Sequence, residues 1–196
     1  KDVPLDAEIL WEDLSTGKVV QTTRSNPATG EFFAVLPERK RYGYTARKPG
    51  YFPQSGNVDM RTELSEVRLP EPIRLSTIEN MKAEDISLPL NNLFFETAKY
   101  ELQSESFPEL NRLAELLQSE GLSIEVHGHT DNVGNDAGNL ILSENRAKSV
   151  RTYLISRGCN AGKITAKGFG KTKPKATNET EAGRALNRRV EIRMVR

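Results

Sequence analysis

At 196 residues the chain is long enough for one or two domains, and either would bury a core. Its 28 Lys plus Arg against 27 Asp plus Glu leave a net charge of +1, so there is no electrostatic case for nucleic acid or an anionic membrane surface. Charged residues at 28% and apolar residues at 36% fit an ordinary soluble domain, and no apolar run approaches the ~20 residues of a membrane-spanning helix.

The segment from Leu5 to about Leu69 reads as short strands. Ala7 to Trp11 alternates, Asp13-Leu14-Ser15-Thr16-Gly17 turns the chain, and Lys18 to Thr23 returns as a second strand. Asn26 to Gly30 is the next turn and Glu31 to Leu36 the next expected strand. Arg41 to Arg47 follows with Tyr42, Tyr44 and Ala46 on one face, closed by Lys48-Pro49-Gly50-Tyr51. Strands at roughly ten-residue spacing between Gly, Pro and Asn turns predict an all-β sandwich. Its core and rim would be Phe32, Phe33, Leu36, Tyr42, Tyr44, Tyr51 and Phe52. The carboxylates Asp6, Glu8, Glu12, Asp13, Glu31 and Glu38 lie beside turns or at alternating positions and read as a solvated face. With no histidine, cysteine or nucleophile motif here, spacing or partner contact is the expected role.

Pro70-Glu71-Pro72 interrupts the sheet pattern, since proline is excluded from central strands. The boundary is expected near residues 76–86, giving domains 1–80 and 81–196, with Ile73 and Leu75 as a candidate edge strand of the first.

Beyond the boundary, Leu90 to Phe95 predicts a strand, and Ser106-Phe107-Pro108-Glu109 a helix start with proline in the first turn. Leu110, Leu113, Ala114 and Leu117 stripe that helix, and Gly121 ends it. Ile124, Val126 and Gly128 then alternate with Glu125, His127 and His129, the period of a half-buried strand. It ends in Thr130-Asp131-Asn132-Val133-Gly134, a run of turn formers. Ser143 is a good N-cap for a helix reaching about Arg157, striped by Ala147, Val150, Leu154 and Ile155. That frame puts Arg146 at the third helical position, where a cation opposes the helix dipole at a cost of roughly 0.3–1 kcal/mol. The placement makes sense if the guanidinium faces an anion, either Asp131 or a bound carboxylate. Lys163 to Gly170 is a short strand and turn, Thr172 to Thr180 a polar loop, Glu181 to Asn187 a helical turn, and Arg189 to Val195 a last strand. Strands separated by helices indicate an α/β layer.

The single cysteine, Cys159, follows Gly158 at an expected helix end and reads as a small buried hydrophobe. His127, His129 and Asp131 share one strand face as H-x-H-x-D, and two such histidines can share a metal. No third imidazole or thiolate joins them, so a structural role is the better reading, and no metal or other cofactor is expected.

The run "GHTDNVGN" with "NLILSENRAKSVRTYL", then "ITAKGFGKTKPKATNETEAGRALNRRVEIRMV", and "NLFFETAKYELQ" before them, resembles the peptidoglycan-binding OmpA C-terminal-like domain. Four separated pieces occur in order over roughly residues 88–196. The resemblance implies a mixed sheet with helices on one side, and a non-enzymatic function: non-covalent binding of the diaminopimelate stem of peptidoglycan, tying an outer-membrane or periplasmic protein to the cell wall. Diaminopimelate offers an α-ammonium and an α-carboxylate, which one fixed carboxylate and one fixed guanidinium would read together. By motif these are Asp131 and Arg146, with Thr130, Asn132, Asn139 and Arg188 in the same ligand-binding set. Sequence alone leaves a structural Asp131–Arg146 ion pair as the commoner reading, and the resemblance turns it toward ligand binding. Phe95-Glu96-Thr97-Ala98 departs from the family's "F-D" followed by a polar residue, because Ala98 has no side-chain donor or acceptor. That departure supports the rival reading, an interaction module with little peptidoglycan affinity.

Members of such a family are exported, so the chain, which opens Lys1-Asp2-Val3-Pro4-Leu5 without a signal peptide, is expected to be a fragment of a longer precursor. Any membrane attachment would precede Lys1. A hydrolase would need a paired acid and base or an open metal position, and neither pattern occurs. In the first part, "DLSTGKVV" and "SNPATGEFFAVLPERKRYGYTARKPGYFP" are similar to carboxypeptidase-regulatory-like (transthyretin-like) sandwich modules, which implies a docking surface for other envelope proteins.

Overall fold

Ile9 and Trp11 are buried on one face of a strand while Glu8 and Leu10 are only partly covered, and Asp13 turns the chain back on itself; the first sheet grows from that hairpin. The computed structural model describes residues 3–37, 39–61, 68–69, 71–84 and 86–195, which fall into two units, Lys1–Asn80 and Met81–Arg196.

In the first unit β1 (Glu8–Asp13) pairs with β2 (Lys18–Arg24) on one side and β3 (Arg41–Arg47) on the other, and β4 (Gln54–Asp59) pairs with β3. All pairs are antiparallel, in the order β2-β1-β3-β4. Ala46 stands opposite Ile9 and Tyr44 opposite Trp11. Ile9, Trp11, Tyr42 and Ala46 form the buried cluster, against which Phe32, Leu36, Tyr44, Ile73 and Leu75 pack.

The segment expected as a strand from Glu31 to Leu36 is extended coil instead. It keeps the two-residue alternation: Phe32, Ala34 and Leu36 pack on the core, while Phe33 and Val35 are 77% and 68% exposed. Side chains rather than a backbone ladder hold it, with Val35 N donating to Gln21 Oε1 at 3.0 Å. Among the described residues this unit therefore has one four-stranded sheet closed by coil, where a two-sheet sandwich was expected. Ile73 and Leu75 contribute packing but no strand, apart from the nearby Tyr51–Thr77 bridge. Nor are the carboxylates uniformly solvated. Glu12 and Asp13 are buried, and the Asp13 carboxylate caps its own turn by accepting Ser15 N at 3.0 Å and takes Lys40 Nζ at 2.6 Å. Glu38 and Pro70 lie outside the described residues.

A short helix α1 (Ile78–Glu84) is followed by β5 (Ser87–Pro89), α2 (Phe107–Ser119), β6 (Ser123–Gly128), α3 (Asp136–Ser156), β7 (Ile164–Gly168), α4 (Glu181–Asn187) and β8 (Val190–Val195). The sheet order is β5-β8-β6-β7, with β6 parallel to β7 and antiparallel to β8. This is the mixed α/β arrangement the sequence predicts, with two shifts. The first strand ends at Pro89 rather than spanning Leu90 to Phe95, and only Leu90 N reaches on to Val190 O, at 2.9 Å. The long helix starts seven residues before Ser143: Asn135 is its N-cap, accepting Gly138 N at 2.7 Å. Ser143 is instead buried within the helix, so Arg146 sits mid-helix and the dipole argument for its placement does not apply.

Helix α3 lies on β6 and β7 at backbone contact. A Cβ at Gly128 would stand 2.0 Å from Ser143 O, and one at Gly168 2.5 Å from Glu144 N. Ser143 Oγ accepts Gly170 N at 2.9 Å, tying the strand-end turn to the same helical position. Cys159 is buried as expected, next to Gly158 with φ of 93° at the end of α3. No helix of the described residues is long and apolar enough to cross a membrane.

The approach at Gly128 is testable. Gly128→Ala should cost at least the ~1–3 kcal/mol typical of overpacking, because backbone rather than a flexible side chain must give way. Gly134→Ala, with φ of 91° and nothing within 4 Å, should cost only backbone strain. Urea denaturation of both variants beside wild type compares the two; equal midpoints would refute the close approach.

Candidate functional site

The site forms where β6 ends. Past Gly128 the neighbouring loops still hold the chain: His129 N donates to Arg189 O at 2.9 Å and Thr130 N to Gly170 O at 3.0 Å. Thr130 Oγ1 then donates to Asp131 O at 2.9 Å, and Asp131 Oδ1 accepts Val133 N at 3.1 Å, a side-chain turn that fixes the carboxylate. Asn139, in the first turn of α3, donates from Nδ2 to Val133 O at 3.0 Å and so braces this loop. Asn132 N donates to Asn178 Oδ1 at 3.3 Å while the rest of Asn132 is exposed.

Asp131 is 7% exposed, and its Oδ2 accepts Arg188 Nη1 at 2.7 Å. The ion pair considered for Asp131 and Arg146 is thus made by Arg188, whose Nη2 also reaches Glu181 Oε1 at 2.6 Å. Glu181 opens α4 and holds Arg184 Nε at 3.0 Å as well. Hydrogen bonds from Arg188 and Arg184 keep the Glu181 carboxyl below its ordinary range.

Arg146 is differently placed. It is 8% exposed; its Nε donates to Lys99 O at 2.9 Å and its Nη2 to Glu96 O at 3.4 Å. Its guanidinium lies 4.9 Å from the centre of the Phe95 ring. Among the described residues no carboxylate comes within 4.0 Å of it. Burial pushes its pKa down, the Arg188 charge pushes the same way, and Asp131 opposes both. The turn it grips has Ala98 at φ of 59° and Lys99 N on Glu96 O at 3.0 Å. The 96–99 loop therefore contributes carbonyls to Arg146, and its missing polar side chain at 98 leaves that contact intact. Three guanidiniums, Arg146, Arg184 and Arg188, face two carboxylates, Asp131 and Glu181, so the cluster carries an excess of one positive charge.

His127 and His129 pack on Phe169, one edge-on at 4.8 Å and one stacked at 5.3 Å. His129 Nε2 stands 3.5 Å from Glu191 Oε2 without hydrogen-bond geometry, and Glu191 also takes Arg189 Nε at 2.7 Å. Among the described residues no group of three His, Cys, Asp or Glu is placed to hold a metal. Three contributors were missed in the sequence. Glu181 anchors Arg188, and Phe95 lies under Arg146. Asn187 is fully buried and fixes the loop before α4 through Lys175 N, Ala176 N and Asn178 Oδ1. Phe95 stands in the run compared with the family's pattern without a role given to it, whereas Glu181 and Asn187 act through partners brought near by topology and carry no local mark.

Fold and site together define an α/β domain with a mixed four-stranded sheet, whose central strand delivers an aspartate into an arginine cluster. Residues 94–188 of this chain belong to the OmpA family. A 98-residue stretch is 43% identical to outer membrane porin F of Pseudomonas fluorescens, covering 50% of this chain and 30% of that protein. Another match, 44% identical over 84 residues, is to peptidoglycan-binding protein ArfA of Mycobacterium bovis and covers 42% of this chain and 26% of the relative. Of solved structures, a putative MotB-like protein from Desulfovibrio vulgaris aligns with a TM-score of 0.50 at 29% identity, covering 56% of this chain and 71% of that one. The chain thus spans under a third of the length of these two curated relatives.

Beneath the site, burial would raise the Glu191 pKa, but the His129 and Arg189 contacts outweigh it and bring the group from 4.5 to about 2. A depressed folded pKa means that the stability Glu191 contributes is present above pH ~4.5 and lost as pH falls through about 2. Thermal melts from pH 5 to 2 should show a shallower acid loss in Glu191→Gln than in wild type. Parallel curves would exclude this pairing as a source of acid sensitivity.

Proposed function

We propose that the unit Met81–Arg196 binds peptidoglycan non-covalently, reading the diaminopimelate of its stem peptide, and so holds an outer-membrane or periplasmic protein to the cell wall. The observation that carries this reading is Arg146: a buried guanidinium with only carbonyl and ring partners, lacking a carboxylate within 4.0 Å among the described residues. A bound α-carboxylate would supply it, in the bidentate geometry that arginine favours. Asp131 would take the α-ammonium in place of Arg188, which stays tethered by Glu181. Thr130, Asn132 and Asn139 shape the loop that presents Asp131. The Mycobacterium bovis relative is a peptidoglycan-binding protein, which supports the same ligand class. The role is binding rather than catalysis, and the first unit would serve as spacer or as docking surface for other envelope proteins.

One observation favours the rival reading, an interaction module of the same fold. Asp131 is already satisfied by Arg188, so the free site is closed to weak cations.

Pull-down on isolated sacculi separates the two. Wild type should sediment and be released by free diaminopimelate, whereas the interaction module would not sediment. Arg146→Lys keeps the charge and loses the fork; it should weaken binding about tenfold or more. Asp131→Asn should do the same with the fold, read by circular dichroism, unchanged. Wild-type affinity in both variants would place the ligand elsewhere.

A further inference from the structure

In the first unit the extended stretch of residues 31–36 has its hydrogen bonds on one edge only. Glu31 N donates to Thr29 Oγ1 at 3.2 Å and Glu31 O accepts Asn26 N at 2.8 Å. Val35 N donates to Gln21 Oε1 at 3.0 Å, and Pro37 O accepts Tyr42 OH at 2.9 Å. All of these fall on odd-numbered residues. In an extended chain the N–H and C=O of one residue point to one side and those of the next to the other, so these bonds occupy a single edge. Phe32, Ala34 and Leu36 own the opposite edge, and among the described residues their main-chain groups make no hydrogen bond. The side chains divide in the same way. Phe32, Ala34 and Leu36 pack on the core, whereas Phe33 and Val35 stand exposed. An open main-chain edge beside two exposed apolar side chains is a template for a further strand.

We propose that this strand comes from a second copy of the chain, residues 31–36 of both pairing antiparallel about a two-fold axis at Ala34. The open edge dictates the register. Ala34 exchanges both main-chain bonds with the partner's Ala34, and Phe32 does so with the partner's Leu36, which satisfies the whole edge. Phe33 then meets the partner's Val35 as a close pair without main-chain bonds, Cα atoms ~4.5 Å apart, and symmetry repeats the contact. Both exposed apolar side chains are covered. Charge permits the pairing, since Glu31 falls opposite the partner's Pro37 and no like charges face each other. Pro37 lacks an N–H, and its place on the already bonded edge needs none. A ladder this short falls well below the roughly 20–30 residues a side of a standard interface, so the dimer is weak, with a Kd of about 10 µM. The contact lies wholly in the first unit and is independent of peptidoglycan binding.

The test is sedimentation equilibrium of the full chain from about 1 to about 500 µM, with amide exchange followed by NMR at both ends of that range. Wild type should pass from monomer to dimer. The amides of Phe32, Ala34 and Leu36 should exchange more slowly at the higher concentration, and that of Phe33 should not change. Phe33→Lys and Val35→Glu each set a charge against an apolar partner from an exposed position. Each should weaken the dimer about tenfold or more with circular dichroism unchanged. The two substitutions together oppose ammonium and carboxylate at both close pairs, so the double variant should dimerise more tightly than either single one. A chain that stays monomeric throughout overturns the pairing, as does a dimer that both single variants leave unchanged. Failure of the double variant to recover overturns the antiparallel register, and slowing at Phe33 in place of Ala34 overturns the choice of edge.

Discussion

The backbone contact of α3 with β6 is the constraint from which the site follows. At Gly128 there is no room for a side chain, because Ser143 O would lie 2.0 Å from its Cβ. That contact sets the height and rotation of α3 on the sheet. Ser143 Oγ then secures the turn after β7 through Gly170 N, and Gly170 O in turn accepts Thr130 N beside Asp131. One helical turn beyond Ser143, Arg146 reaches the 96–99 turn. A single glycine contact thus fixes both charged members of the cluster relative to one sheet. A side chain at 128 would move α3, and Arg146 with it, by an amount that charge-assisted bonds tolerate poorly.

The electrostatics are uneven by construction. Asp131 is buried yet satisfied, through Val133 N and Arg188. Arg146 is buried and meets only dipoles and a ring. Uncompensated burial of an ion costs on the order of several kcal/mol, which carbonyl and ring contacts offset in part. Its pKa is depressed rather than raised, because burial and the Arg188 charge outweigh the attraction of Asp131. Structural ion pairs show the opposite sign, as Arg188 does between Asp131 and Glu181.

What was legible in the sequence was periodic or local. The alternation of Ile124, Val126 and Gly128, the apolar stripe of α2 and the closing strand after Arg189 reach their expected elements. Glu31 to Leu36 shows where period alone fails: alternation reports which side chains face the core, not whether the backbone joins a ladder. Ser143 shows where cap chemistry alone fails. Asn135 and Ser143 are both good N-caps, and the earlier one wins because its side chain finds Gly138 N in a turn where glycine offers no obstruction. The Arg188–Asp131 pair, 57 residues apart, depends on β8 lying antiparallel beside β6, a pairing that no spacing rule contains.

Because Asp131 is already paired, a zwitterion entering this cluster exchanges one ion pair before it gains another. Trading the Arg188 guanidinium for an ammonium at Asp131 exchanges like for like, and changes little beyond a fraction of the ~1.5–3 kcal/mol of a charge-assisted bond. In the proposed reading the net gain would come from Arg146 meeting a carboxylate. One such gain would support only weak affinity for a single stem, near the millimolar end of the scale, at about −4 kcal/mol. A polymer changes that arithmetic. Under the proposed reading, neighbouring stems on one strand would raise the effective concentration for rebinding into the millimolar range, so that a contact brief for one peptide would be lasting for the wall as a whole. Tight binding would have needed Arg188 elsewhere; its place on Asp131 is what keeps the proposed grip reversible.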